Sequence, residues 1–184
     1  MMDKNKMAML LFIASEVIFF LMLVIAYAFF HSKGTAGGAA GVGQLHIGKT
    51  SVYSIFLFAS SFSVWRAGRS LPQNRRRGAF WLLLTIALGA IFLVGQGLEY
   101  KDLLLQHITI GRSLFGTTFF TLTGFHGLHV FIGLLLLTIL WCLAVFGRET
   151  EPAPTATESI SLYWHFVDVV WVVIFAVVYL WAAL

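Results

Sequence analysis

The sequence predicts an all-α polytopic membrane protein, a bundle of five transmembrane helices forming a single membrane domain over residues 1–184. Two observations carry this prediction. Hydrophobic residues make up 59% of the chain and charged ones 11%, with a mean hydropathy of +0.88, whereas soluble domains carry about 25% charged residues. The apolar residues also gather into five runs, at about 7–30, 50–66, 78–100, 114–146 and 160–184, parted by short polar stretches. A bilayer core needs roughly 20 apolar residues per helical crossing. The second run is the shortest and is rich in serine.

Taken in order, a short polar tail with Lys4 and Lys6 leads into the first run. That run is too long for the apolar segment of a signal peptide and contains Glu16, so it reads as a retained helix. Gly34 to Gly41 reads as a flexible loop. After the second run comes a basic loop with Arg66, Arg69, Arg75, Arg76 and Arg77, where Pro72 interrupts the helix. The third run closes at Glu99-Tyr100-Lys101-Asp102, the fourth ends at Phe146, and a loop with Pro152, Pro154 and three glutamates precedes the fifth.

Five crossings put the termini on opposite sides of the membrane. The tail, second loop and fourth loop hold 8 of the 12 basic residues, and the other flanks hold 4. Cytoplasmic loops carry the excess of Lys and Arg, so the N-terminus is expected in the cytoplasm and the C-terminus outside. The same rule accounts for the net charge of +4 without invoking nucleic acid. A single cysteine, Cys142, excludes an internal disulfide and any Cys-rich metal or iron–sulfur site.

The candidate functional residues are the polar ones within the runs. Glu16 lies about 15 Å along the first helix, where an ionised acid costs on the order of 3 kcal/mol. Protonation or a hydrogen bond from a neighbouring helix lowers that cost. His126 and His129 share one helical face with Gly124 and Gly127, which keep that turn slim. Two histidines on one face cannot sandwich a haem. A metal site drawing on His165 and Asp168 is not demanded by the spacing, and inter-helix hydrogen bonding accounts for the pair. His165 and Asp168 are also three apart, flanked by Trp164 and Trp171, with Tyr163 expected at the membrane interface. They suit either a proton relay or a buried structural contact. Gln96 and Glu99 repeat the spacing near the outer end of the third helix, where solvent explains them. Arg66 begins the basic loop, suited to orientation and anionic headgroups. On residues alone, a transporter, a proton-coupled enzyme and a passive subunit of a larger complex all remain open.

Four motifs narrow the choice. Thr123-Gly-Phe-His-Gly-Leu-His-Val130 with Gly133 resembles the signature of subunit III of the haem–copper respiratory oxidases. Tyr163-Trp-His-Phe-Val-Asp-Val-Val-Trp171 is similar to the last-helix signature of that family, Ser15-Glu-Val-Ile-Phe-Phe20 to its glutamate-bearing helix, and Gln96-Gly-Leu-Glu-Tyr100 to its Gln-x-x-Glu-Tyr segment. Longer members have seven helices, and this chain resembles the shorter five-helix prokaryotic form lacking the first two. The resemblance implies an accessory subunit of cytochrome c oxidase in the bacterial inner membrane, with no catalytic centre or metal of its own. Haems and copper are expected in subunits I and II. This chain is expected to pack on subunit I, neighbour subunit II and further supercomplex subunits, bind phospholipid, and support oxygen access and proton uptake. By resemblance Glu16 matches the family's buried acid, and His126, His129, His165 and Asp168 its polar helix contacts. A quinol oxidase subunit III, an accessory protein of nitric oxide reductase and a small proton-linked transporter are the alternatives.

Overall fold

The computed structural model describes residues 4–32, 47–111, 114–147 and 154–181. The expected glycine-rich loop, Lys33, Arg112, Arg148 and Pro152 lie outside these residues. Within them the chain is all-helical: α1 Lys4–Ser32, α2 Ile47–Ser70, α3 Arg75–Leu105, α4 Leu114–Phe146 and α5 Pro154–Phe175, the last continued by a π-helical turn Ala176–Leu180. The fourth helix has the bounds read from the sequence. α1, α2 and α3 run a few residues past their apolar runs at both ends, and α5 begins six residues before its run.

α2 packs against α3, α3 against α4, α4 against α5, and α5 back against α2, closing a four-helix ring; α1 lies outside it, against α4 and α5. Two tryptophans of α5, seven residues apart, fill the ring. The Trp164 indole N–H donates to Ser60 Oγ of α2 at 2.9 Å, and Trp171 donates to Ser54 Oγ at 2.8 Å. The six-membered ring of Trp164 is seated on two glycines. A Cβ at Gly89 of α3 or at Gly133 of α4 would stand 2.8 Å from it. Small residues thus let three backbones close around one large ring, the packing that holds membrane helices together where no hydrophobic drive operates between them.

Four helical segments, 6–30, 75–105, 114–146 and 155–180, are long and apolar enough to cross a membrane on composition alone, and α2 falls short of them. The reason lies in which way its side chains face. Thr50, Ser54, Ser60 and Ser63 are buried toward the ring, while Val52, Ile55, Phe58 and Phe62 are exposed outward. Ser63 Oγ meets Thr85 Oγ1 of α3 at 2.8 Å, and Ser54 also donates to its own helix at Thr50 O. The polar groups are satisfied inside and the apolar ones face out, so averaged hydropathy understates this helix.

Both ends of the connection around α3 are locally built. Asn74 caps the start of α3 by accepting from the Arg77 N–H at 3.1 Å. The end closes on His107, which adopts φ +61°. Its N–H reaches Leu104 O and that of Ile108 reaches Leu103 O, the paired bonds of a left-handed helix stop.

Candidate functional site

Glu16 and His129, separate in the sequence reading, meet in the groove between α1 and α4. His129 Nε2 lies 3.1 Å from Glu16 Oε2, and His129 Nδ1 lies 2.7 Å from the backbone oxygen of Phe125. A carbonyl only accepts, so Nδ1 carries a proton. Nε2 and Oε2 then share one further proton between them. Whether that proton sits on the acid or on the ring, the pair is net neutral. That neutrality resolves the cost of an acid at this depth without a counter-ion from elsewhere. The backbone oxygen of His129 accepts from the Tyr163 hydroxyl at 3.0 Å, tying α5 to the same site. Tyr163 is 2% exposed, its hydroxyl engaged by α4.

His126 faces the ring instead. Its imidazole is fully buried, stacked on Trp171 with centroids 5.0 Å apart and edged by Phe92 at 6.0 Å. Neither ring nitrogen has a hydrogen-bond partner among the described residues. The two histidines thus share a side of α4 yet serve different neighbours, and Phe20 of α1 touches both rings. Of the two glycines beside them, Gly127 is the one held tightly: a Cβ there would lie 3.0 Å from Gln96 Oε1, whereas at Gly124 the nearest atom is 3.7 Å away.

His165 and Asp168 do not bond to each other directly. Ser61 of α2 joins them: its Oγ lies 2.9 Å from His165 Nδ1 and donates to Asp168 Oδ2. Asp168 is buried, and its second oxygen has no partner among the described residues. Sequence reading missed Ser61, because serine i→i−4 bonding is common in membrane helices and nothing local marks one serine out. His165 lines a cleft of about 510 Å³ that opens between the start of α1, the end of α2, the Leu71–Pro72 turn and the start of α5.

Gln96 departs from the solvated reading, and Glu99 is partly buried. Gln96 is buried and donates to Thr123 O of α4 at 2.7 Å and to the Tyr100 hydroxyl at 3.3 Å. Glu99 accepts from Thr50 Oγ1 of α2 at 3.0 Å and from the Tyr179 hydroxyl at 2.7 Å. The π turn sets up the second bond, with Phe175 and Tyr179 stacked 5.3 Å apart and the hydroxyl turned to α3. Gln96 is closed off between α3 and α4, while Glu99 lines a cleft of about 270 Å³ with Lys49 and Asp102. Arg66 is exposed, its guanidinium 5.6 Å from the ring centre of Trp81, and Arg69 lies over Trp65 at 5.0 Å. Among the described residues no three His, Cys, Asp or Glu side chains gather as a metal site would require.

The family model described as cytochrome c oxidase subunit III matches residues 1–183. This chain belongs to the cytochrome c oxidase subunit III family. It is 39% identical over 180 residues to cytochrome c oxidase subunit 3 of Synechocystis, covering 97% of this chain and 76% of that one. With the subunit 3 of Corynebacterium diphtheriae it shares 38% over 176 residues, covering 92% and 84%. With that of Triticum aestivum it shares 34% over 184 residues, covering 95% and 68%. Its relatives are therefore subunits of a respiratory oxidase complex, and the four long apolar spans make this family member a membrane protein. The quoted motifs carry the polar seams just described: Glu16 with His129, Gln96 with Thr123, and His165 and Asp168 around Ser61.

Proposed function

We propose that the chain is the redox-inactive third subunit of a haem–copper terminal oxidase of the cytochrome c type, in a bacterial cell membrane with its N-terminus in the cytoplasm. It packs on the haem-bearing subunit I beside the copper-bearing subunit II, holds phospholipid, and supports oxygen access and proton uptake. The family match along almost the whole chain is the observation that carries this reading. The proton part draws on the Glu16–His129 pair, where an acid and an imidazole share a proton inside the membrane span. The lipid part draws on the basic end of the bundle, where Arg66, Arg69, Arg76 and Arg77 are exposed beside Trp65 and Trp81. Cations held over indole rings at a helix end suit anionic headgroups.

Purification through a tag on this chain in gentle detergent tests it, followed by an optical spectrum and mass spectrometry of co-purifying proteins. Haem absorbance arriving with two larger subunits is the expected result, and a copper-binding subunit II identifies cytochrome c as the donor. Haem arriving with a subunit II that lacks copper moves the assignment to a quinol oxidase. A colourless, solitary, folded protein overturns the oxidase assignment.

A further inference from the structure

We propose that His165, Ser61 and Asp168 form a proton-conducting hydrogen-bond chain that draws protons from the cleft between α2 and α5 into the bundle. Three observations carry it. His165 lines the cleft of about 510 Å³. Ser61 Oγ touches both the Nδ1 of that ring and the carboxylate of Asp168. Asp168 is buried and retains an oxygen without a partner among the described residues, so the chain ends on a group able to take up or pass on a proton. A structural role needs only one hydrogen bond to the acid; a serine set between an imidazole and a carboxylate supplies a hydroxyl that donates and accepts at once.

His165 Nε2 takes a proton from cleft water, giving an imidazolium. The Nδ1–H bond breaks as its proton passes to Ser61 Oγ, while the hydroxyl proton of Ser61 passes to Asp168 Oδ2. A neutral imidazole, a re-formed hydroxyl and a carboxylic acid result, with one proton moved inward. Resetting needs the hydroxyl to rotate and the ring to exchange tautomer through cleft water. The surrounding charges favour delivery over storage on the ring. Lys6 of α1, Arg69 of α2 and Arg75 of α3 line the cleft against the single carboxylate of Glu158 on α5. Lys6 is paired with Glu158 at 3.1 Å, so the cleft stays positive around a ring that would be charged only in passing.

This chain of bonds is a property of the protein itself and rests on the proton-uptake reading only for where the proton is used. The test is infrared spectroscopy of the assembled complex in lipid nanodiscs, transferred from H2O to D2O. Asp168→Asn identifies the protonated-carboxyl band by its loss. Ser61→Ala is expected to keep the band and slow its deuteration by on the order of a hundred-fold, and Ser61→Thr to restore the rate. Deuteration of Ser61→Ala at the wild-type rate, or no band lost in Asp168→Asn, overturns the proposal. Slowed deuteration with unaltered proton uptake by the complex upholds the relay and overturns the supply role proposed above.

Discussion

Glu16 shows how much a single contact decides. Its carboxyl meets one atom, His129 Nε2, at 3.1 Å, across two helices. Glu16→Ala leaves that nitrogen unpaired in a half-buried groove and is expected to destabilise the chain by about 1–3 kcal/mol, read as a lower thermal midpoint of the purified complex. Glu16→Gln keeps an amide donor to the nitrogen, so stability should be largely retained. Slower proton uptake at high pH in both variants is the expected kinetic result, and wild-type uptake in Glu16→Gln would reduce the acid to packing. The glycines offer a second contrast at this scale. Gly133 holds Trp164 so closely that a Cβ would stand 2.8 Å away, while nothing lies within 4 Å of a Cβ at Gly97. Gly133→Val should therefore cost about 1–3 kcal/mol through overpacking. Gly97→Ala should be neutral or slightly stabilising, since alanine is the better helix former. Chemical unfolding of the two variants in one detergent separates them.

Among the elements, α4 depends on a residue of its neighbour. The guanidinium of Arg75, at the start of α3, donates through Nε to Ala144 O at 2.5 Å and through Nη2 to Leu143 O at 2.7 Å, and reaches Gly147 O as well. Leu143 O also accepts from the Gly147 N–H at 3.1 Å, so the guanidinium adds to the helix's own last bond at an end where carbonyls run short of donors. The planar fork of arginine spans them where lysine offers a point charge. Arg75→Ala is expected to cost about 1–3 kcal/mol and to open the segment near residue 147 to protease. Arg77→Ala should leave digestion unchanged, because that side chain is exposed and only its backbone N–H is engaged, by Asn74. In the sequence these arginines form one basic loop serving orientation. The structure divides them, one binding a helix end and the others exposed.

The whole molecule turns on whether α2 crosses. It is the helix that composition would leave out, yet it closes the ring between α3 and α5 and supplies both indole acceptors. Single cysteines placed near each terminus, in a Cys142→Ser background, should label from opposite sides of intact cells and inverted vesicles. The N-terminal one is expected to face the cytoplasm, in keeping with the distribution of Lys and Arg. Labelling of both from one side would mean an even number of crossings and would overturn the five-helix topology.

What the sequence determined by itself is the class and the catalogue. Apolar runs of bilayer length leave a helix as the only backbone that satisfies its own polar groups, so four of the helices were legible from hydrophobicity alone and the serine-rich α2 only as a shorter apolar run. The acid and the histidines within them were legible because each is costly there. The four motifs resemble those of the family whose model matches residues 1–183. Tertiary structure decided the pairing. Glu16 and His129 stand 113 positions apart, Ser61 and Asp168 stand 107 apart, and Gln96 and Thr123 stand 27 apart. No periodicity within a helix encodes which face of which neighbour it meets. That is set by glycines admitting a tryptophan, serines turned inward to receive its N–H, and an arginine closing another helix's end. Spacing on one helix found the polar residues, and packing between helices chose their partners.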